Sequence, residues 1–93
     1  MKKIAMLHTS SATLAMMQQL IGDIMPEADV MHLVEESMIK QVMKAGGVTP
    51  NIAARIADYV HIAEKADCEI FITACSSIGT AVEQCQFMTP LQL

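Results

Sequence analysis

Positive charge is scarce in this chain: six Lys and Arg stand against ten Asp and Glu, for a net charge of -4. The few cations are scattered, whereas a nucleic-acid surface needs a basic stripe that neutralises phosphates. Long apolar runs are missing as well, and none approaches the ~18 residues of a membrane span. The start, Met1-Lys2-Lys3-Ile4, is basic and then apolar. Its apolar run nevertheless breaks at His8-Thr9-Ser10-Ser11, short of the roughly 7–15 residues of an export signal. Paired cysteines are absent: Cys68, Cys75 and Cys85 are odd in number and show no CxxC spacing. That excludes a disulfide framework and a zinc site, and fits a reducing, cytoplasmic setting. No metal site is expected. A glycine-rich phosphate loop is lacking too, because Gly46-Gly47 follows a helical pattern rather than a strand.

What the chain has is apolar content. Of its 93 residues 53% are hydrophobic, nine of them Met. A single domain of this size, residues 1–93, buries only roughly 60–65% of the surface its unfolded form exposes. Such richness implies that some apolar surface is covered by a partner or by further chain.

The pattern along the sequence alternates strands and helices. Lys3 to Leu7 reads as a central strand, apolar on both faces, and His8 to Ser11 as a loop and helix cap. Leu14, Met17, Leu20, Ile21, Ile24 and Met25 fall at helical spacing, with Met16, Met17 and Met25 expected in the core, and Pro26 stops the helix. Asp29 to Val34 is a second strand. Glu35-Glu36-Ser37 leads into a short helix, Met38 to Ala45, that Gly46-Gly47 terminates. Thr49-Pro50 opens another helix, with Thr as N-cap and Pro in the first position, and Ile52, Ile56, Tyr59, Val60 and Ala63 form its buried stripe. A third strand runs from Glu69 to Ala74. Ile78, Ala81, Val82 and Cys85 mark the next helix, and Thr89 to Leu93 opens a fourth strand. This order predicts an α/β fold of three αβα layers around a four-stranded parallel sheet, strand order 2-1-3-4, with right-handed crossovers.

Ligands on such sheets bind beyond the carboxyl ends of the strands. Three loops qualify: His8–Ser11, Glu35–Ser37 and Cys75–Ser77. Their chemistry is hydroxyl, carboxylate, imidazole and thiol. Cys75 ends an apolar strand and precedes a helix pattern, where free backbone N–H groups lower a thiol pKa and favour an anion. A phosphatase role is excluded, since the Arg needed six residues later is replaced by Ala81. Cys68 and Cys85 fall on core positions. His8 can act as acid, base or phosphoryl acceptor, or be satisfied by the hydroxyls beside it. His32 and His61 lack a ligand partner at metal-binding spacing and read as structural. Thr9, Ser10 and Ser11 can cap a helix or hold a carboxylate, and Glu35 and Glu36 read most simply as solvated acids near a helix start.

Three segments carry a family resemblance: His8-Thr9-Ser10 after the first strand, Val34-Glu35-Glu36-Ser37-Met38-Ile39 after the second, and Ala74-Cys75-Ser76-Ser77-Ile78-Gly79 after the third. With them the chain resembles, over essentially all its length, the amino-terminal half of the aspartate/glutamate/hydantoin racemase superfamily. The cysteine loop is the most specific part of the match. Members have two similar α/β domains facing across a cleft, each typically giving one cysteine, and use neither metal nor other cofactor. The resemblance implies that Cys75 is the first-domain acid/base for a proton α to a carboxylate. It implies that Thr9, Ser10, Ser76 and Ser77 hold the substrate carboxylate while His8 lines the pocket. Glutamate-racemase-like members carry an acidic residue and then Ser after the first strand. His8-Thr9 therefore points to the broader branch of hydantoin racemases and arylmalonate decarboxylases. The expectation is an amino-acid or related carboxylate racemase of which this chain is the first domain, ending within its fourth strand and inactive alone. A missing second domain or a homodimer partner would then complete it. The alternative is a small phosphocarrier or ligand-binding module that uses His8.

Overall fold

The computed structural model describes residues 3–74 and 78–93. Strand β1 (Lys3–His8) leads to helix α1 (Ser11–Ile24) and strand β2 (Asp29–Val34). Helices α2 (Glu36–Ala45) and α3 (Pro50–Lys65) follow, then strand β3 (Ile70–Thr73), helix α4 (Gly79–Glu83) and a 3-10 turn, Gln84–Met88.

The sheet has three parallel strands in the order β2-β1-β3. The expectation of four strands is corrected: the segment 89–93 makes one parallel bridge, Ile70 to Gln92. The Phe71 N–H donates to the Gln92 carbonyl at 2.8 Å and the Gln92 N–H to the Glu69 carbonyl at 3.0 Å. Gln92 thus lies beside β3, on the side away from β1. Pro90 has no N–H to add to a ladder, and the bridge does not extend into a strand.

Alternation along β1 divides its side chains between two faces. Ala5 and Leu7 enter the main core with Phe71 of β3, Met38 and Val42 of α2, and the stripe Ile52, Ile56, Val60 and Ala63 of α3. Ile78, Ala81, Val82 and Cys85 close that core from α4 and the following turn. The opposite face carries Ile4, Met6, Val30 and Ile72, and among the described residues α1 alone covers it, through Met17, Leu20 and Ile21. The cover is incomplete. No α1 residue is fully buried, and Met16 and Met25 are 59% and 42% exposed. The expectation that they lie in the core therefore fails. Helical spacing identifies the side of α1 that turns to the sheet, but how deeply that side is buried depends on what else packs there.

The helix ends follow local chemistry. The Ser10 Oγ accepts from the Ala12 N–H, the Glu35 carboxylate from the Ser37 N–H, and the Thr49 Oγ1 from the Ile52 N–H. Each cap satisfies a donor that has no partner inside its helix. Gly46, at φ +77°, ends α2 in the left-handed conformation that glycine adopts without strain. Helix α4 is only five residues long before it tightens into the 3-10 turn. It is a shorter element than the periodicity after Cys75 predicts.

Candidate functional site at the carboxyl edge of the sheet

Backbone hydrogen bonds bring the ends of all three strands together. The Glu35 N–H donates to the His8 carbonyl at 2.8 Å, and the Ala74 N–H donates to the Leu7 carbonyl at 3.0 Å. The Thr73 hydroxyl donates to the same Leu7 carbonyl at 3.2 Å. Residues 9–10, 35 and 74 therefore leave the sheet side by side, with the β1 end between the other two, so the loop after β1 adjoins the point from which the chain runs on to Cys75. Cys75, Ser76 and Ser77 themselves lie outside the described residues.

His8 is the last residue of β1 and is fully buried. Its side chain lies on the α1 face of the sheet. The Nδ1 atom lies 2.8 Å from the Thr13 hydroxyl, and Nε2 lies 2.8 Å from Nδ1 of His32. The Thr13 hydroxyl donates to the Ser10 carbonyl at 3.0 Å, which leaves its oxygen to accept from His8. The network then assigns the protons: His8 carries its hydrogen on Nδ1, its Nε2 accepts, and His32 donates from Nδ1. Burial, and then the neighbouring His32 charge, push the His8 pKa below its usual 6.5; burial alone does the same to His32. Sequence reading takes these histidines one at a time. The signal that joins them is strand register, because Met6 pairs with His32 and so places it one step from His8 on the same face.

Thr9 is buried, and Ser10 caps α1. Glu35 is more than a solvated acid. Its Oε2 accepts from the Ser37 N–H at 3.1 Å and the Ser37 hydroxyl at 2.6 Å, while Oε1 accepts from the Tyr59 hydroxyl at 2.6 Å. The Arg55 Nη2 lies 2.9 Å from Oε1 and also donates to the Ser37 Oγ at 2.8 Å; Nη1 donates to Gln41 Oε1 at 2.6 Å. The Ser37 and Tyr59 hydroxyls, with Arg55, hold the Glu35 pKa down to about 2. Burial and the Glu35 carboxylate raise that of Tyr59. This cluster escapes sequence reading, although one cue is present: Arg55 and Tyr59 are four residues apart and share a face of α3.

The other thiols are placed apart from the edge. Cys68 is buried just before β3, at the amino end of that strand, and Cys85 is buried with its Sγ 3.4 Å from the Ala81 carbonyl. Burial raises both thiol pKa values, which keeps them protonated and unreactive. Among the described residues no group of three His, Cys, Asp or Glu is arranged to hold a metal ion. No described helix is long and apolar enough to cross a membrane.

Fold and edge together define the chain as an α/β protein with a parallel sheet and a polar, hydroxyl-bearing carboxyl edge. Comparison with family models, with curated proteins and with solved structures finds no match in any of the three.

Proposed function

We propose that the chain contributes one half of a cofactor-independent proton-transfer site acting at the α-carbon of an amino acid or related carboxylate. The observation that carries the reading is the convergence of strand ends, which brings residues 9–10, 35 and 74 to one edge. In this reading the Cys75 thiolate takes the α-proton and becomes a thiol, leaving a carbanion conjugated with the carboxylate. Returning the proton restores the thiolate. Thr9, Ser10, Ser76 and Ser77 supply donors to the carboxylate oxygens, where charge grows as the proton leaves. His8 supports that pocket from below, through Thr13 and the Ser10 carbonyl, rather than touching substrate.

Inversion by two bases needs a second acid on the opposite face of the α-carbon. Cys68 and Cys85 are buried away from the edge, so the second thiol comes from another domain or from a second copy. Thiolate chemistry of this kind belongs in the cytoplasm, where thiols stay reduced. The phosphocarrier alternative draws less support, since both ring nitrogens of a fully buried His8 are engaged.

The test is hydrogen exchange at Cα. Aspartate, glutamate and a hydantoin are each incubated with the protein in D2O, and NMR follows loss of the α-proton signal. Exchange with at least one of them that disappears in Cys75→Ser supports the reading. Exchange unchanged in that variant, or none with any of the three compounds, rejects α-proton transfer by Cys75 of this chain.

A further inference from the structure

The imidazole pair of buried His8 and half-buried His32 joins three elements, and the proposed reaction uses neither ring as acid or base. His8 comes from β1, His32 from β2, and the Thr13 that anchors the far side of His8 comes from α1. Because α1 contributes no fully buried residue, its polar attachment to the sheet through Thr13 matters more than one such bond would in a well-covered helix. The pair is also in contact with water. Among the described residues every buried side-chain nitrogen or oxygen has a partner, and the Nε2 of half-buried His32, which has none there, faces solvent. A proton can reach His32 from outside and pass to His8.

The geometry limits how many protons the pair can hold. A nitrogen–nitrogen separation of 2.8 Å requires one hydrogen between the rings and one lone pair to receive it. One added proton is accommodated: His8 then donates from Nε2, His32 accepts on Nδ1 and carries its own hydrogen on Nε2. A second proton turns both nitrogens into donors facing each other, and two like charges then meet across a part-buried contact. We propose that the His8–His32 pair is an acid-sensitive latch that holds α1 against the sheet and opens when it takes up its second proton.

Among the described residues, charged groups on the surrounding elements do not offset that repulsion. Lys3 stands at the far end of β1 with its Nζ bonded to the Ala66 carbonyl. Asp29 is at the far end of β2, and the Glu35 carboxylate is held by Ser37, Tyr59 and Arg55. The only charged residue of α1 is Asp23, in its last turn, and β3 (Ile70–Thr73) has no ionisable residue. Opening has a local consequence. The Ser10 that caps α1 also receives the Thr13 hydroxyl on its carbonyl, so release of Thr13 frees the loop after β1.

The experiment is amide hydrogen exchange by NMR on the full chain at about pH 7 and about pH 4.5, corrected for intrinsic rates. The latch predicts that protection of the α1 amides from Leu14 to Ile21 falls about tenfold or more at the lower pH, and by more than that of Phe71, Ile56 and Val60. In His32→Asn the amide can rotate to donate to neutral His8 or accept from charged His8, so the acid-dependent loss in α1 disappears. Imidazole signals of the wild-type protein give a second readout that does not need the variant to fold: both rings titrate in two coupled steps. The proposal is overturned by equal α1 protection at both pH values, by parallel loss across all elements, by an unchanged response in His32→Asn, or by independent single-step titration of the two rings.

Discussion

Each carboxylate oxygen of Glu35 holds a different element: Oε2 caps α2 through Ser37, and Oε1 takes Tyr59 and Arg55 from α3. The charge is what the cluster selects, since every partner is a donor. With its pKa held at about 2 rather than 4.5, Glu35 binds fewer protons folded than unfolded. It therefore stabilises the fold above pH 4.5, and this contribution fades as pH falls through about 2. Full conversion of the shift would give ~3 kcal/mol, and partial solvent screening brings this nearer ~2 kcal/mol. Glu35→Gln should accordingly lose about 1–3 kcal/mol at neutral pH in urea unfolding, with the deficit closing as pH approaches 2. A constant deficit across that window would show that shape rather than charge matters. The histidines act in a higher window. Their folded pKa values lie below 6.5, so the unfolded chain takes up protons first and stability declines as pH drops below 6.5. The two acid-sensitive contributions are thus separable by pH.

Among the helices, α3 and α1 contrast most sharply. In α3 the residues Ile52, Ile56, Val60 and Ala63 recur with helical spacing and all are buried, so truncation there opens a cavity that packed neighbours cannot fill. Ile56→Ala should cost about 2–5 kcal/mol, against less than about 1 kcal/mol for Ile24→Ala in α1, where Ile24 is 67% exposed. Urea midpoints of the two variants provide the comparison, and equal losses would contradict the packing described. The same contrast explains what the sequence could convey. Strands, helix caps and the α3 stripe are local patterns, and Thr49-Pro50 and Gly46-Gly47 mark their boundaries by backbone chemistry alone. The exposure of Met16 and Met25 is not local, because it depends on which elements cover the α1 face of the sheet. Nor is the Glu35–Arg55–Tyr59 cluster, which joins residues about twenty apart through the packing of α2 on α3. The His8–His32 pair needs strand register, a third kind of long-range information. The convergence of β1, β2 and β3 ends, by contrast, follows from the alternating order of elements and the rule for ligand position on parallel sheets.

At the scale of the whole molecule, the described chain is a slab of 38 × 29 × 17 Å with its strand ends on one side. That one-sidedness constrains any chemistry at the carboxyl edge. A substrate held there by the loops after β1 and β3 presents one face of its α-carbon to Cys75 in the proposed reading. The remaining thiols are remote, buried and protonated, so they cannot reach the opposite face without unfolding the core. A single thiol that removes a proton and returns deuterium from the same side gives exchange with retention. Inversion requires a donor from the other side, hence a second polypeptide surface across the site. The stereochemical course of exchange therefore reports how many acids the site contains. At low concentration in D2O the chain should label the α-carbon of its substrate without changing optical rotation, as followed by NMR and polarimetry together. If a second copy supplies the opposing thiol, racemisation should appear as protein concentration rises, with a rate that grows faster than linearly. Inversion strictly proportional to concentration, by a chain that sedimentation shows to be monomeric over the same range, would require both acids within one chain and defeat the one-thiol reading.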